Sequence, residues 1–190
     1  AGVVIDAARA GKAIFCEKPL ALALTDAQAM QAAVAETGVF FQLGFMRRFD
    51  AGYAAARRKI AEGAIGRPCV FKSTSKDKAR PALDYLRPEN SGGIFIDMGI
   101  HDFDLARWFV GEVTSVYSTG GVLAYPEMKP IGDWDNAITN LRFANGCIGV
   151  VCLSRNGVYG YGIHTEIVGT EGTIQIGYDR ETPVLVMKDG

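Results

Sequence analysis

The stretch Gly92-Gly93-Ile94-Phe95-Ile96-Asp97-Met98-Gly99-Ile100-His101-Asp102-Phe103-Asp104 carries the residue types best suited to moving a proton. Asp97 and His101 are four residues apart, which on a helix places them one turn apart on a shared face. Leu105 and Trp108 continue that side, so the pair is expected on the buried flank. A carboxylate beside an imidazole orients it and raises its basicity near neutral pH, which a general base for an alcohol proton requires. A helix pair that only satisfies its own hydrogen bonds is the plainer alternative. A metal held by Asp97, His101 and Asp104 is a third, weakened because no second histidine is placed to help.

Lys18, between Glu17 and Pro19, is the second feature. Proline lacks an N–H and fixes the turn, so Lys18 is held at a strand end and kept out of the ladder. There it can donate to a substrate hydroxyl and favour alkoxide-like charge; a solvated turn lysine is the alternative. Arg47 and Arg48 follow Gly44-Phe45-Met46, one expected to reach a polar ligand and the other water. Tyr159 and Tyr161 lie in Gly157-Val158-Tyr159-Gly160-Tyr161-Gly162, as packing residues or ligand contacts. No helix follows those glycines, so they do not form a phosphate cradle.

The elements that must position these groups fall into two textures. Helix from Gly2 to Ala10, strand from Ala13 to Cys16, helix from Thr25 to Thr37 and strand from Val39 to Leu43 alternate with short glycine-marked connections. That is the pattern of a parallel sheet with crossover helices. Beyond Gly44 come a helix over 51–62, a strand over 68–75, a polar loop over 76–92 and one helix over 94–110. Strands over 115–123, 137–143, 147–153, 165–168, 173–176 and 184–187 follow, with hairpin signals at Ala144-Asn145-Gly146 and Thr170-Glu171-Gly172. The reading is an α/β remnant over 1–44 and, over 45–190, an α+β domain with an open, mainly antiparallel sheet. A chain that begins in mid-helix, with no capping residue ahead of Gly2, is expected to be a piece of a longer protein.

Composition narrows the classes. Twenty basic residues against 21 acidic ones give a net charge of -1, which argues against a nucleic-acid partner. No run approaches the ~20 apolar residues of a membrane span. Cys16, Cys69, Cys147 and Cys152 form no CxxC pair and lie in apolar stretches, as free thiols of a reducing cytoplasm do.

Together, Phe15-Cys16-Glu17-Lys18-Pro19-Leu20, Gly44-Phe45-Met46-Arg47-Arg48-Phe49-Asp50 and the Asp97-x-x-x-His101 segment resemble the Gfo/Idh/MocA oxidoreductases. Within that family Gly132-Asp133-Trp134-Asp135-Asn136-Ala137 and the tyrosine pair look most like the inositol 2-dehydrogenases. The resemblance implies a Rossmann domain followed by a substrate domain, with hydride passing from a secondary alcohol of a cyclic polyol or sugar to NAD or NADP. It implies Lys18, Asp97 and His101 as the catalytic set, Arg47 and Tyr161 as substrate contacts, and Glu17 with Lys18 at the cofactor. It also implies a homo-oligomer, dimer or tetramer, formed through the open sheet face. Gly99 stands where such enzymes often carry Thr, and Gly162 rather than an acidic residue follows Tyr161. No G-x-G-x-x-G occurs in the 190 residues, so this chain alone is expected to bind dinucleotide weakly and to be inactive. A non-catalytic sugar-binding or oligomerisation module of the same family is the rival reading. The catalytic reading requires Lys18 and His101 to face one cleft.

Overall fold

The computed structural model describes residues 1–158 and 160–177. Tyr159 and the strand expected over 184–187 lie outside them. The chain divides into two compact units, Ala1–Met46 and Arg47 onward.

The first unit is α1 (Gly2–Arg9), β1 (Ile14–Glu17), α2 (Leu24–Thr37) and β2 (Phe41–Gly44). β1 and β2 pair in parallel, from Ile14 opposite Phe41 to Glu17 opposite Gly44. A parallel pair needs a long crossover, and α2 supplies it. The alanine-rich sequence of α2 favours helix, and Gly38 ends it in the left-handed conformation with its N–H on Val34 O. Ala8, Ile14 and Ala33 form the small core, with Val4, Ile5, Val34, Val39 and Phe41 around them.

The second unit begins with α3 (Ala51–Ala61), capped by Asp50, whose carboxylate accepts from Gly52 N at 2.9 Å and Tyr53 N at 3.1 Å. Then follow β3 (Pro68–Lys76), α4 (Pro88–Ser91), α5 (Gly93–Asp97) and α6 (Ile100–Phe109). Five strands complete it: β4 (Val113–Gly121), β5 (Asn136–Phe143), β6 (Ile148–Ser154), β7 (Gly162–Gly169) and β8 (Thr173–Gly177). Their sheet has the order β4-β5-β6-β3-β7-β8 and is antiparallel except at its centre, where β3 and β6 run parallel. The open, mainly antiparallel sheet read from the sequence is therefore present.

Strand alternation decides which face is covered. In β5, Ala137, Thr139, Leu141 and Phe143 are buried, while Ile138, Asn140 and Arg142 are exposed. The buried face joins Phe71, Val151, Leu153 and Ile167 to Tyr53 and Ala56 of α3 and to Leu105, Ala106 and Phe109 of α6. The hairpins at Asn145-Gly146 and Glu171-Gly172 join β5 to β6 and β7 to β8, as read.

One element differs. The single helix expected over 94–110 is divided at Met98-Gly99 into α5 and α6. Ile94 O accepts from Met98 N at 3.2 Å and also from Gly99 N, five residues on, at 2.9 Å. The regular ladder is interrupted there, in the manner of a π-type turn. Asp97 closes one segment while His101 stands in the first turn of the next, so their spacing of four no longer fixes a shared face.

Candidate active site

The register of the sheet gathers one set of chain ends together. Lys76 pairs with Ser154 and Gly162, and Ser154 pairs with Asn136. Asp77 after β3, Arg155 after β6, the segment before β5 and the segment before β7 therefore share one end of the sheet. Asp77 N donates to Ser154 O at 2.9 Å, and Arg155 N to Asp135 O at 2.8 Å, locking these ends to each other.

Arg155 is wholly buried there. Its Nη1 donates to Asp97 Oδ2 at 3.0 Å. The same guanidinium lies 3.8 Å from Asp77 Oδ2 and 3.5 Å from Asp133 Oδ2. One buried cation thus faces three carboxylates brought from three separate segments. Nothing local to Ser154-Arg155-Asn156 announces this; a charged residue directly after a buried apolar strand was the one available signal.

Asp97 is fixed from the other side by Tyr85 of the polar loop, whose hydroxyl donates to Asp97 Oδ1 at 2.7 Å. That hydrogen bond to a carboxylate, with some burial, raises the Tyr85 phenol above its ordinary value. Asp133 starts the segment: its Oδ1 accepts from Ile94 N, at the head of α5, at 2.9 Å. Gly92 and Gly93 make the approach, both at positive φ (78° and 73°), and a Cβ on Gly93 would lie 2.8 Å from Asp133 Oδ1. The polar loop over 76–92 contributes Tyr85 and Asp77 to this corner.

His101 is buried, 7 % exposed, in the first turn of α6, and its neighbour Asp102 is fully buried. Asp102 accepts from Arg47 Nη1 at 2.9 Å, Ser73 Oγ at 2.5 Å and Ser75 Oγ at 2.8 Å. Arg47 Nη2 also donates to Ser75 Oγ at 2.9 Å. Ser73 and Tyr53 both reach Thr165 Oγ1, extending the network to β7 and α3. Burial raises the Tyr53 phenol above its ordinary value. Arg47, expected at a ligand, is thus 5 % exposed with two nitrogens engaged by Asp102 and Ser75. Arg48, expected in water, grips Asp104 with Nε at 2.8 Å and Nη2 at 2.6 Å and lies over the Trp108 ring. Asp104 is therefore already a salt-bridge partner. Among the described residues no group of three or more His, Cys, Asp or Glu could hold a metal ion. Tyr161, just before β7, is 62 % exposed.

In the first unit, Glu17 ends β1 and Lys18 follows it, half-buried, with a cis peptide to Pro19. Gly44 ends β2 opposite Glu17, and a Cβ there would meet Glu17 Oε2 at 3.0 Å. The carboxyl ends of parallel strands are where open α/β sheets take a nucleotide. At that edge the Gly44 backbone packs closely on the Glu17 side chain, with Lys18 next in sequence.

Residues 53–175 match the GFO/IDH/MocA C-terminal domain, and residues 1–45 match an oxidoreductase family with an NAD-binding Rossmann fold. The chain is 46 % identical over 186 residues to scyllo-inositol 2-dehydrogenase (NAD(+)) of Bacillus subtilis (strain 168), covering 97 % of this chain and 54 % of that protein. It is 44 % identical over 185 residues to myo-inositol 2-dehydrogenase of Thermotoga maritima, covering 97 % and 55 %. The crystal structure of scyllo-inositol dehydrogenase from Lactobacillus casei with bound NAD(H) and scyllo-inositol is similar with a TM-score of 0.82 and 35 % identity. That match covers 91 % of this chain and 52 % of the other. The chain spans about half the length of these relatives. Among the described residues no helix is long and apolar enough to cross a membrane.

Proposed function

Because the chain belongs to the Gfo/Idh/MocA family of oxidoreductases, we propose that it supplies the substrate domain and part of the cofactor domain of an NAD-dependent cyclic-polyol dehydrogenase. The observation that carries this reading is the Asp97–His101 segment. It joins a carboxylate held by two donors to a buried imidazole, in a domain whose relatives are named for inositol oxidation. NAD, when bound, supplies the acceptor for the hydride leaving the carbinol carbon. Every other step belongs to side chains. His101 takes the hydroxyl proton as the general base. Asp97 orients and polarises it. Lys18 donates to the same oxygen and favours its developing negative charge. Glu17 and Lys18 hold the nicotinamide end of the cofactor. Tyr161 contacts the polyol, and Arg47 serves the site by holding Asp102 beside His101.

In the full-length enzyme, NAD reduction by myo- and scyllo-inositol is followed at 340 nm. His101→Ala is expected to lower kcat/KM by about 10²–10⁴-fold, as loss of a general base does. Unchanged turnover in that variant would remove His101 from the mechanism. The absence of NAD reduction with every cyclic polyol tried would remove the substrate class.

The reading extends to assembly. Tyr117, Ile138 and Ile148, 70 %, 50 % and 51 % exposed, stand on the uncovered face of β4, β5 and β6. This face is proposed as the contact between copies in a dimer or tetramer. Light scattering on Ile138→Lys should show a lower mass than the parent.

A further inference from the structure

We infer that Arg155 is the positioning residue of the site: it fixes the direction of the Asp97 carboxylate, with Tyr85 as its outer counterpart. This rests on Asp97 serving the reaction as proposed above.

The argument begins from isolation. Arg155 has no exposed surface, yet stands within 4 Å of Asp77, Asp97 and Asp133. A buried cation costs free energy unless it is paired and hydrogen-bonded. A purely structural pairing would need one carboxylate, and Asp133 at 3.5 Å, already committed to the head of α5, would supply it. The shortest contact goes instead to Asp97, at 3.0 Å. Arg155 Nε and Nη2 are buried without hydrogen-bond partners, as is Asp133 Oδ2. The guanidinium has therefore been placed for Asp97 at the expense of its bonding to Asp133. Its backbone cannot drift, since Arg155 N is tied to Asp135 O at the end of the sheet.

The division of labour between the two donors follows from exposure. Tyr85 is 45 % exposed on the loop between β3 and α4 and reaches Asp97 Oδ1 from the solvent side. Arg155, with no exposed surface, approaches Oδ2 from the interior. A carboxylate held at both oxygens has one orientation left, as a group that must direct an imidazole requires. Asp77 and Asp133, the two other acids facing Arg155, set the opposing field. Removal of the cation takes away the donor at Asp97 Oδ2 and leaves the carboxylate among like charges.

The test uses the full-length enzyme with Arg155→Met, Arg155→Lys, Asp97→Asn and, as a surface control, Arg107→Met. Arg155→Met is expected to lower kcat on the order of 10–100-fold while KM for polyol and for NAD stays within about threefold. Arg155→Lys should recover part of the loss, since it restores the charge without the planar fork. In ligand-free protein labelled with ¹³C-aspartate, the Asp97 carboxyl signal, assigned by its disappearance in Asp97→Asn, should shift in Arg155→Met and stay in place in Arg107→Met. A folded Arg155→Met enzyme with parental kcat overturns the inference, and so does an unmoved Asp97 signal. If Arg155→Met fails to fold, Arg155→Lys carries the same two readouts. If the signal moves but Asp97→Asn keeps full turnover, the coupling stands and it is the catalytic assignment of Asp97 that fails.

Discussion

Asp102→Ala should be the most destabilising single change beneath the site. Asp102 is fully buried and Arg47 nearly so, and their contact of 2.9 Å is backed by Ser73 and Ser75. Removing the acid leaves a guanidinium in the core with a serine hydroxyl for company. Stranding one member of a buried pair costs about 3–5 kcal/mol. At a urea slope of roughly 2 kcal/mol per M, that lowers the unfolding midpoint by roughly 1.5–2.5 M. The only two tryptophans of the chain, Trp108 and Trp134, both lie in the second unit, and Trp108 is on α6 itself, so their fluorescence follows the relevant unfolding. The pair Arg47→Met with Asp102→Ala removes both charges and should be less harmful than the sum of Arg47→Met and Asp102→Ala alone, by about 2 kcal/mol or more. Single variants costing under about 1 kcal/mol, or strictly additive losses, would refute the claim that this pair braces α6.

Three further outcomes follow from the buried groups of the same domain. Burial alone would raise the Asp135 carboxyl, but hydrogen bonds from Leu123 N, Tyr125 N, Asn136 Nδ2 and Ala124 N outweigh it and hold it below the ordinary 3.8. Its stabilisation is thus present above pH 3.8 and lost as pH falls below that value, so Asp135→Asn should flatten the acid limb of a stability-versus-pH curve; an unchanged limb would contradict this. Burial pushes the Cys147 thiol up to about 11, so iodoacetamide at pH 8 should label it only after denaturation, as read by peptide mass spectrometry. A Cβ on Gly99 would lie 2.7 Å from Leu153 Cδ1 and 3.0 Å from Phe95 O; Gly99→Thr should therefore cost about 1–3 kcal/mol of stability, measured by urea unfolding.

The strands and helices were legible because their signals are local. Alternation in Asn136–Phe143 marks a half-covered strand, and Asn145-Gly146 and Glu171-Gly172 mark turns without reference to anything distant. The division of α5 from α6 was half legible: Gly99 inside an apolar run is a warning, but the five-residue hydrogen bond depends on how Leu153 and Phe103 pack around it. Arg155 was not legible. Its partner Asp97 is 58 residues away, at the end of α5, whose head is tied to Asp133 just before β5, the strand paired with β6. For Arg47 the residue type suggested a polar partner, but the partner, 55 residues on, is the protein's own Asp102.

The parallel pair at the centre of the sheet also sets an order of assembly. β3 is flanked by β6 and β7 alone, and neither exists until residue 148 and beyond has been made. A ribosome adding roughly 5–20 residues per second leaves the central strand with both edges bare for roughly 4–15 s after it emerges. During that interval its apolar face has only nearby helices to shield it, and its backbone donors are open to any other extended segment. Nascent chains halted between β3 and β6 should therefore be bound by holdase chaperones, and release should coincide with the emergence of β7.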